Sequence, residues 1–431
     1  MPTGRQPLRI SRLAATISLP QAVALYCGAV VGAGVLVLPG VAADRAGPAS
    51  LLAWLFDGAL GVPVALTFAA LASRFPDAGG VSVFAARAFG GAAGAVVGWF
   101  YFFAAAIAQA LVTLTGAHYA ADALGSGRAA TYAVATAMLA IAVAANLRGL
   151  RVSARLQLAL AAGVAGILLV TSIAAIPHEH VAHLSPFFAH GPAAVAHAAV
   201  LLFFAFFGWE AITHLSAEFR DPARDVPLAT TISVFLVTAA YFGVAFAVVA
   251  TGVYGDERLD RVAVTHVLSS SVGVSAQIVA PTAACVITLG TANAFVAATS
   301  RLGFALGRDR AFPAPMARLN ASGVPTVAVL VVGGIAATGL ALGYANGWGA
   351  EDFLVVPNSL TIVVYLLGML AGVRLLRGRA RLLAVVTAAL CAGLLPFVGV
   401  SLAIPAGVAV AAVLYRRLFA GYDRDVVAGV Q

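Results

Sequence analysis

The sequence predicts an all-α polytopic membrane protein, and three observations lead to that fold class. Of the 431 residues, 62% are hydrophobic and only 10% are charged, whereas a soluble domain carries about 25% charged residues. The mean hydropathy of the whole chain is +0.99. Uncharged apolar runs recur that are long enough to cross a bilayer core about 30 Å thick. Because there are too few charges to coat a soluble domain, most of the surface is expected to face lipid.

These apolar runs predict twelve transmembrane helices. In chain order they cover residues 19–41, 49–72, 92–117, 129–145, 156–176, 193–215, 228–253, 274–300, 324–344, 353–373, 382–398 and 401–418. Arg5, Arg9 and Arg12 precede the first run, and no small-residue cleavage site follows them. This pattern is typical of a retained cytoplasmic lead and not of a cleaved signal peptide.

The basic residues predict the orientation. All 25 are arginine. When the loops are assigned alternately from an inside N-terminus, 21 of these arginines fall inside, and Arg45, Arg128, Arg258 and Arg261 fall outside. Since cytoplasmic loops collect positive charge, both termini are predicted to be cytoplasmic. The formal net charge of +8 does not indicate nucleic-acid binding, because the arginines are spread between apolar runs and form no clustered patch.

The reactive side chains indicate neither a metal site nor an enzyme. Cys27, Cys285 and Cys391 lie in separate apolar runs without paired spacing, and the eight histidines are irregularly spaced. No metal ion or other cofactor is therefore predicted. A membrane-embedded enzyme needs paired catalytic groups at one depth. The two acids inside the runs, Asp57 and Glu210, lie on different helices and at different predicted depths.

Two features of the first half recur in the second half with opposite sidedness. The first predicted helix carries a glycine-rich stretch, 27–34, and the sixth carries Gly208. Short amphipathic segments follow at 75–90, predicted inside, and at 255–272, predicted outside. Equivalent segments on opposite faces are typical of an inverted-topology repeat of five plus five helices. The predicted units are a lead at 1–18, a first repeat at 19–177, a second repeat at 178–376, and two further helices with a tail at 377–431.

The glycines of the first helix are candidates for a binding site. In inverted-repeat proteins the first helix of each repeat is interrupted at mid-membrane, which exposes backbone N–H and C=O groups. Gly28, Gly32 and Gly34 would permit such a break, and the half-helix N-terminus that follows would suit a carboxylate. Gly28 and Gly32 also match the small-xxx-small pattern of closely packed helices. Both interpretations stay open at this point.

Glu210 is the strongest single candidate in the second half. An ionised glutamate at mid-span costs a few kcal/mol, so this residue is expected to face a cavity or a partner, or to hold a proton. A functional role is favoured over that of a buried structural carboxyl. Phe207 and Trp209 become candidates because they flank Gly208.

Other polar residues within the spans have two readings. In span eight, Thr288, Thr291 and Asn293 are candidates to complete an ion or substrate site against the first helix. Polar residues also bond across membrane helices for stability alone. Asp57 lies about eight residues from the outer end of its span, where water or Arg45 is expected to reach it. For Asp57 a structural role is favoured.

Three motifs resemble those of the amino acid, polyamine and organocation transporter superfamily. They are Gly28-x-x-x-Gly32-x-Gly34 with Leu36 and Pro39, Phe75-Pro76-x-Ala78-Gly79-Gly80, and Phe207-Gly208-Trp209-Glu210-Ala211. The last motif continues into a segment, 217–227, that is similar to the family's cytoplasmic loop. The resemblance covers nearly the whole chain. The stretches 206–227 and 370–386 most resemble the bacterial methionine and branched-chain amino acid exporter group.

The resemblance implies a LeuT-like five-plus-five inverted repeat, alternating access, and a substrate held at breaks in helices one and six. Gly32 and Gly34 would meet the substrate carboxylate, and backbone near Phe206 and Phe207 would accept from its ammonium. The implied substrate-binding residues are Gly28, Val31, Gly32, Ala33, Gly34, Phe204, Phe206, Phe207, Gly208 and Trp209. The expected coupling residues are Glu210, Thr288, Thr291 and Asn293.

The function implied by the resemblance is secondary active transport of neutral L-amino acids such as methionine, leucine, isoleucine and valine across a bacterial inner membrane. An exporter that works by proton exchange is the leading hypothesis. An importer or exchanger of other amino acids or amines is the alternative. Some family members carry a lysine in helix five in place of sodium, and this chain has no lysine. Proton coupling through Glu210 and sodium coupling through span eight hydroxyls therefore both stay open, as does the oligomeric state.

Overall fold

A computed structural model of the chain describes residues 19, 23, 27, 30–32, 34–75, 80–148, 154–206, 208–210, 222–272, 276–321 and 323–419. Within these residues the regular secondary structure is entirely helical. The all-α fold class predicted from the sequence is therefore confirmed.

The α-helices of the described residues are numbered here in chain order. They are α1 Gly34–Ala46, α2 Ser50–Arg74, α3 Val81–Phe89, α4 Gly91–Ala123, α5 Arg128–Leu147, α6 Ala154–Ala175, α7 Pro192–Leu202, α8 Pro222–Thr251, α9 Glu257–Asp260, α10 Ala263–Val272, α11 Ala276–Arg308, α12 Thr326–Asn346, α13 Ala350–Leu375, α14 Gly378–Val398 and α15 Ala403–Phe419. Short 3-10 turns lie between several of them, including Phe203–Phe206 directly after α7.

Eight stretches of the described residues are long and apolar enough to cross a membrane. Two of these stretches, Gly34–Arg74 and Gly378–Phe419, each contain two helices with a 3-10 turn between them. Two shorter apolar helices lie at Ala165–His178 and Pro192–Phe206. Each of the twelve predicted spans overlaps a helix of the structure. The number of crossings and the inverted repeat stay predictions.

Short helices lie in both segments that the sequence marked as amphipathic. In α3 the buried residues Val81, Phe84, Ala85 and Ala88 recur at helical spacing, while Arg87 is exposed. At Gly90, φ is +96°, a conformation that glycine adopts without strain, and α3 can therefore fold back against α4. In the second amphipathic segment, 255–272, the helices α9 and α10 pack against α1.

Two long helices lie at the centre of the bundle. The first, α4, packs against α11, α13, α3 and α5, and most of its side chains are buried. The second, α2, packs against α8, α7, α14 and α13. By contrast, α14 and α15 have mostly exposed apolar residues in their most apolar stretch, so they lie at the periphery. Of the interrupted helices described next, α1 packs against α7 and α8, and α7 also packs against α2 and α14.

Candidate functional site

The first predicted span is interrupted at Val31 and Gly32. The Val31 amide donates to the Cys27 carbonyl at 2.7 Å, which is a helical bond, but Val31 and Gly32 then form a bend. A new helix, α1, begins at Gly34. The predicted candidates Gly28 and Ala33 lie outside the described residues. The break leaves the first amides of α1 without intrahelical acceptors.

A second interruption follows α7. The helix tightens into a 3-10 turn at Phe203–Phe206, and Gly208 then has φ +128°, a value that a residue with a side chain rarely adopts. Trp209 and Glu210 follow and are both fully buried. Phe207 and the residues from 211 to 221 lie outside the described part of the chain.

Tyr241 of α8 brings the two interruptions together. Its hydroxyl lies 2.9 Å from the Val30 carbonyl oxygen and 3.3 Å from that of Ala205. A hydroxyl has one proton to donate, and the shorter contact marks Val30 as the main acceptor. The Trp54 ring of α2 packs on Tyr241 at 5.6 Å and on Phe206 at 6.0 Å between ring centroids. The breaks in the two helices are therefore neighbours.

An aromatic ring lies beside the start of α1. A Cβ placed on Gly34 would lie 3.3 Å from Cδ1 of Phe204, which is tighter than an ordinary carbon contact. Phe204 is half-buried and packs against the core. The absence of a side chain at Gly34 therefore lets the aromatic ring approach the amide end of the half-helix closely.

Glu210 is held by three donors. The Tyr101 hydroxyl of α4 donates to Oε1 at 2.6 Å, the Tyr365 hydroxyl of α13 donates to Oε2, and the Gly208 amide donates to Oε2 at 3.2 Å. The carboxyl group is fully buried. Hydrogen bonds to a carboxylate are among the stronger ones in proteins, so this arrangement fixes the position of the Glu210 side chain. It also ties the second break to α4 and α13.

The three candidates of span eight separate in the structure. A Cβ on Gly32 would lie 3.7 Å from Cγ2 of Thr291, so Thr291 lies beside the first break. Thr288 instead packs closely on Gly116 of α4. Asn293 accepts a hydrogen bond from Asn146 of α5 at 2.9 Å. The structure thus places one of the three at the break and gives the other two contacts with neighbouring helices.

Asp57 differs from its expected setting. Water or Arg45 was expected to reach it, yet the residue is only 1% exposed. Neither carboxyl oxygen has a hydrogen-bond partner among the described residues. Helix α8 closes one side, because Thr238 packs against the neighbouring Gly58. The expectation failed because distance from the end of a span does not show which neighbours cover a residue.

Polar residues gather where α4 ends and α5 begins. A cavity of about 300 Å³ lies there, and three of the four arginines predicted outside line it. Its lining is His118, Ala121, Asp122, Ser126, Arg128, Thr131, Tyr132, Glu257, Arg258, Arg261, Val262, Gly347 and Trp348. Asp122 pairs with Arg258 at 2.9 Å and contacts His266 at 3.3 Å. These pairs join the end of α4 to α9 and α10.

The segment from 255 to 262 packs against the second half of α1. The backbone of Asp260 packs so closely on Gly40 that a Cβ at that glycine would overlap it. Burial raises the pKa of the Asp260 carboxyl from 3.8 to about 6, although a hydrogen bond from the Gly255 amide at 2.9 Å opposes the shift. Asp44 and Asp256 raise the pKa further.

The tyrosines of the site were not found from the sequence. Each of Tyr101, Tyr241 and Tyr365 belongs to an apolar span and has its hydroxyl bonded at a helix break. Tyr241 and Tyr365 are buried, and Tyr101 is half-buried. A buried tyrosine usually needs a partner for its hydroxyl. By this rule, tyrosines within the apolar spans could have been proposed as residues that bond to the backbone at the breaks. Among the described residues no group of three or more His, Cys, Asp or Glu side chains could hold a metal ion.

Comparison with known proteins gives consistent matches. A family model described as "Amino acid permease" matches residues 17–416. The amino acid permease YecA of Bacillus subtilis is 34% identical over 97% of this chain and 99% of its own. The L-methionine/branched-chain amino acid exporter YjeH of Escherichia coli is 29% identical over 90% of this chain and 93% of its own. The methylthioribose transporter of B. subtilis is 26% identical over 58% of this chain and 57% of its own.

Proposed function

The chain belongs to the amino acid permease family, and on that premise we propose that it is a secondary active transporter of neutral aliphatic and thioether L-amino acids. Methionine, leucine, isoleucine and valine are the proposed substrates. Export by proton exchange with alternating access is the proposed mode. Several apolar helices and relatives that are named permeases and transporters support a multi-pass bacterial membrane protein that moves a small amino acid.

The observation that carries the proposal is the pair of adjacent helix breaks joined by Tyr241. A free amino acid has a carboxylate and an ammonium group on one carbon, so a site for it needs donors and acceptors close together. The amides at Gly32 and Gly34 would bind the carboxylate at the positive end of α1. Carbonyl groups of the turn at Phe203–Phe206 would accept from the ammonium.

The surroundings of the breaks favour a neutral side chain. Phe204 lies against the start of α1, and Val31 and Phe206 are buried beside it. Glu210 does not offer its charge to a cationic substrate, since three donors already surround its carboxylate. The name of the Escherichia coli relative, an exporter of methionine and branched-chain amino acids, supports the same substrate class for this chain.

We propose that both termini are cytoplasmic. Arg128, Arg258 and Arg261 line one cavity, so three of the four arginines assigned to the outside share one end of the bundle. The remaining arginines are far more numerous, and membrane proteins keep such residues inside. Reporter fusions at residues 18 and 420 test the orientation, and an external signal from either fusion contradicts it.

Counterflow in proteoliposomes tests the transport function. Vesicles would be preloaded with one unlabelled amino acid at a time, and uptake of labelled leucine or methionine would be followed with and without a pH gradient. Neutral aliphatic and thioether preloads are expected to stimulate uptake. Stimulation by other amino acids or amines alone would replace the substrate class with the alternative, and stimulation by none would refute the transport proposal.

A pair of glycine variants makes the test specific to the site. Gly34→Val adds a side chain that meets Phe204, whereas Gly334→Val adds one on an exposed face of α12 with nothing within 4 Å of its Cβ. Counterflow is expected to be lost in the first variant and kept in the second. A sodium gradient replaces the pH gradient in a parallel experiment. Accumulation driven by sodium alone would overturn proton exchange.

A further inference from the structure

Asp57 lies on the face of α2 that contacts the second helix break. Trp54 of the same helix lies three residues before it and Gly61 four residues after it, a spacing that puts all three residues on one face. Trp54 packs on Phe206, and a Cβ at Gly61 would lie 3.0 Å from Nε1 of Trp209. Asp57 therefore stands between two contacts with the interrupted helix.

The Asp57 carboxyl is closed off from solvent and has no hydrogen-bond partner in the part of the chain that the structure describes. It is 1% exposed, and both oxygens lack a donor among the described residues. An ionised carboxylate without donors is strongly disfavoured away from water. Burial without a described donor therefore favours the protonated form of this carboxyl. Any movement that admits water to this face removes the reason for holding that proton.

Asp57 and Glu210 have opposite environments. Three donors hold the Glu210 side chain, whereas no donor among the described residues reaches Asp57. Two acids in such different environments are suited to separate roles. Glu210 is suited to anchor the break, and Asp57 is suited to gain and lose a proton.

The other titratable groups leave Asp57 as the suitable proton carrier. The titratable groups on the helices packed against α2 are Cys391 of α14, Tyr241 of α8, Tyr365 of α13 and His197 of α7. Of these, Cys391 lies close enough to interact electrostatically with Asp57. The tyrosine hydroxyls are engaged at the breaks, and His197 is exposed. The charged residues of these helices lie at or near their ends: Asp44, Arg45, Arg224, Asp225, Glu351, Asp352, Arg374, Arg379 and Arg381.

We propose that Asp57 is the residue that carries the coupled proton. This inference rests on the proposed transport function. The proton is held while the first half of helix six and α14 cover the α2 face. It exchanges with water when the interrupted helix moves during alternating access. Trp54 and Gly61 connect the two events, because they contact the same segment that forms the substrate site.

The test compares Asp57→Asn with Glu210→Gln in proteoliposomes. Asparagine keeps the size of the side chain but has no titrating proton. Asp57→Asn is expected to lose accumulation driven by a pH gradient and to lose substrate-induced proton movement, measured with a pH-sensitive dye inside the vesicles. Counterflow between equal pH values is expected to continue, since it needs no net proton transfer.

The outcomes separate this inference from the proposed function. Absence of counterflow in the wild-type protein refutes the transport proposal. Wild-type counterflow together with normal gradient-driven accumulation in Asp57→Asn refutes the role of Asp57. Loss of proton movement in Glu210→Gln, with retention in Asp57→Asn, assigns the proton to Glu210 and also overturns it.

A measurement on the unmodified protein guards against a variant that fails to fold. An apolar carbodiimide reacts with protonated carboxyl groups, and peptide mass spectrometry locates the product. Labelling is expected at Asp57, to a degree that substrate changes, and not at Glu210. Labelling of Glu210 without Asp57 would contradict the inference without any substitution.

Discussion

The hydrogen bond from Tyr101 to Glu210 makes a measurable prediction about the second helix break. Tyr101→Phe removes the hydroxyl that donates to Oε1 at 2.6 Å and keeps the ring. The acceptor is fully buried, so water cannot easily replace the donor. The substitution therefore isolates one of the three donors that hold the carboxylate.

The expected loss of stability is about 2 kcal/mol, because hydrogen bonds to charged groups contribute roughly 1.5 to 3 kcal/mol. In a large protein each kcal/mol shifts the melting temperature by about 2 °C or less, so a decrease of a few degrees is expected. In a Glu210→Gln background the acceptor is neutral, and the same substitution should cost about 1 kcal/mol or less. The difference is the coupling energy of the pair.

Thermal unfolding of the purified protein in detergent measures all four proteins of this cycle. Tyr344→Phe is the matched control, because Tyr344 is half exposed and its hydroxyl makes no hydrogen bond with any residue the structure describes. An unchanged melting temperature in Tyr101→Phe would refute the reasoning. So would an equal loss in the wild-type and Glu210→Gln backgrounds, since it would show that charge on Glu210 contributes nothing.

Three further predictions concern other parts of the site. Gly40→Ala should destabilise the protein by about 1 to 3 kcal/mol, because its Cβ overlaps the Asp260 backbone; an unshifted melting temperature, equal to that of Gly334→Ala, contradicts it. The pKa of the Asp260 carboxyl is raised from its ordinary value of 3.8 to about 6, so the protonated carboxyl favours the folded protein. This contribution to stability is complete below pH 4 and absent above pH 6. Asp260→Asn should therefore raise the melting temperature at pH 7 and leave it nearly unchanged at pH 4, and equal shifts at both values refute this. Thr291→Val, beside Gly32, should raise the KM for substrate with little change in melting temperature, and an unchanged KM removes Thr291 from the site.

The sequence predicted where the helices break more successfully than what holds the breaks. Glycine suits positive φ, as at Gly208, and glycines cluster around the bend at Gly32, so both positions could be chosen from local sequence. The partner of the Val30 carbonyl could not be chosen from local sequence. Tyr241 is 211 positions away, and any of the ten tyrosines was eligible. Such contacts depend on how distant helices pack, which local patterns do not encode.

The span eight threonines show the same limit at shorter range. Thr288 and Thr291 are one helical turn apart and look alike in sequence. One packs on Gly116 and the other lies beside Gly32, because successive turns of α11 meet different neighbours. The predicted depth of Asp57 in the membrane was likewise not enough to predict its burial. Its burial depends on α7, α8 and α14, which the sequence does not place around it.

Some backbone polar groups at the helix breaks are hydrogen-bonded and others are not, and this difference affects which ligand charge the site favours. A tyrosine hydroxyl already satisfies one carbonyl at the breaks, because Tyr241 donates to Val30 at 2.9 Å. The first amides of α1 have no intrahelical acceptor and lie at the positive end of the helix dipole. A buried site whose acceptors are partly occupied and whose donors await a partner favours an anion over a cation. The carboxylate would therefore anchor the substrate, and the apolar rings beside it would distinguish one side chain from another.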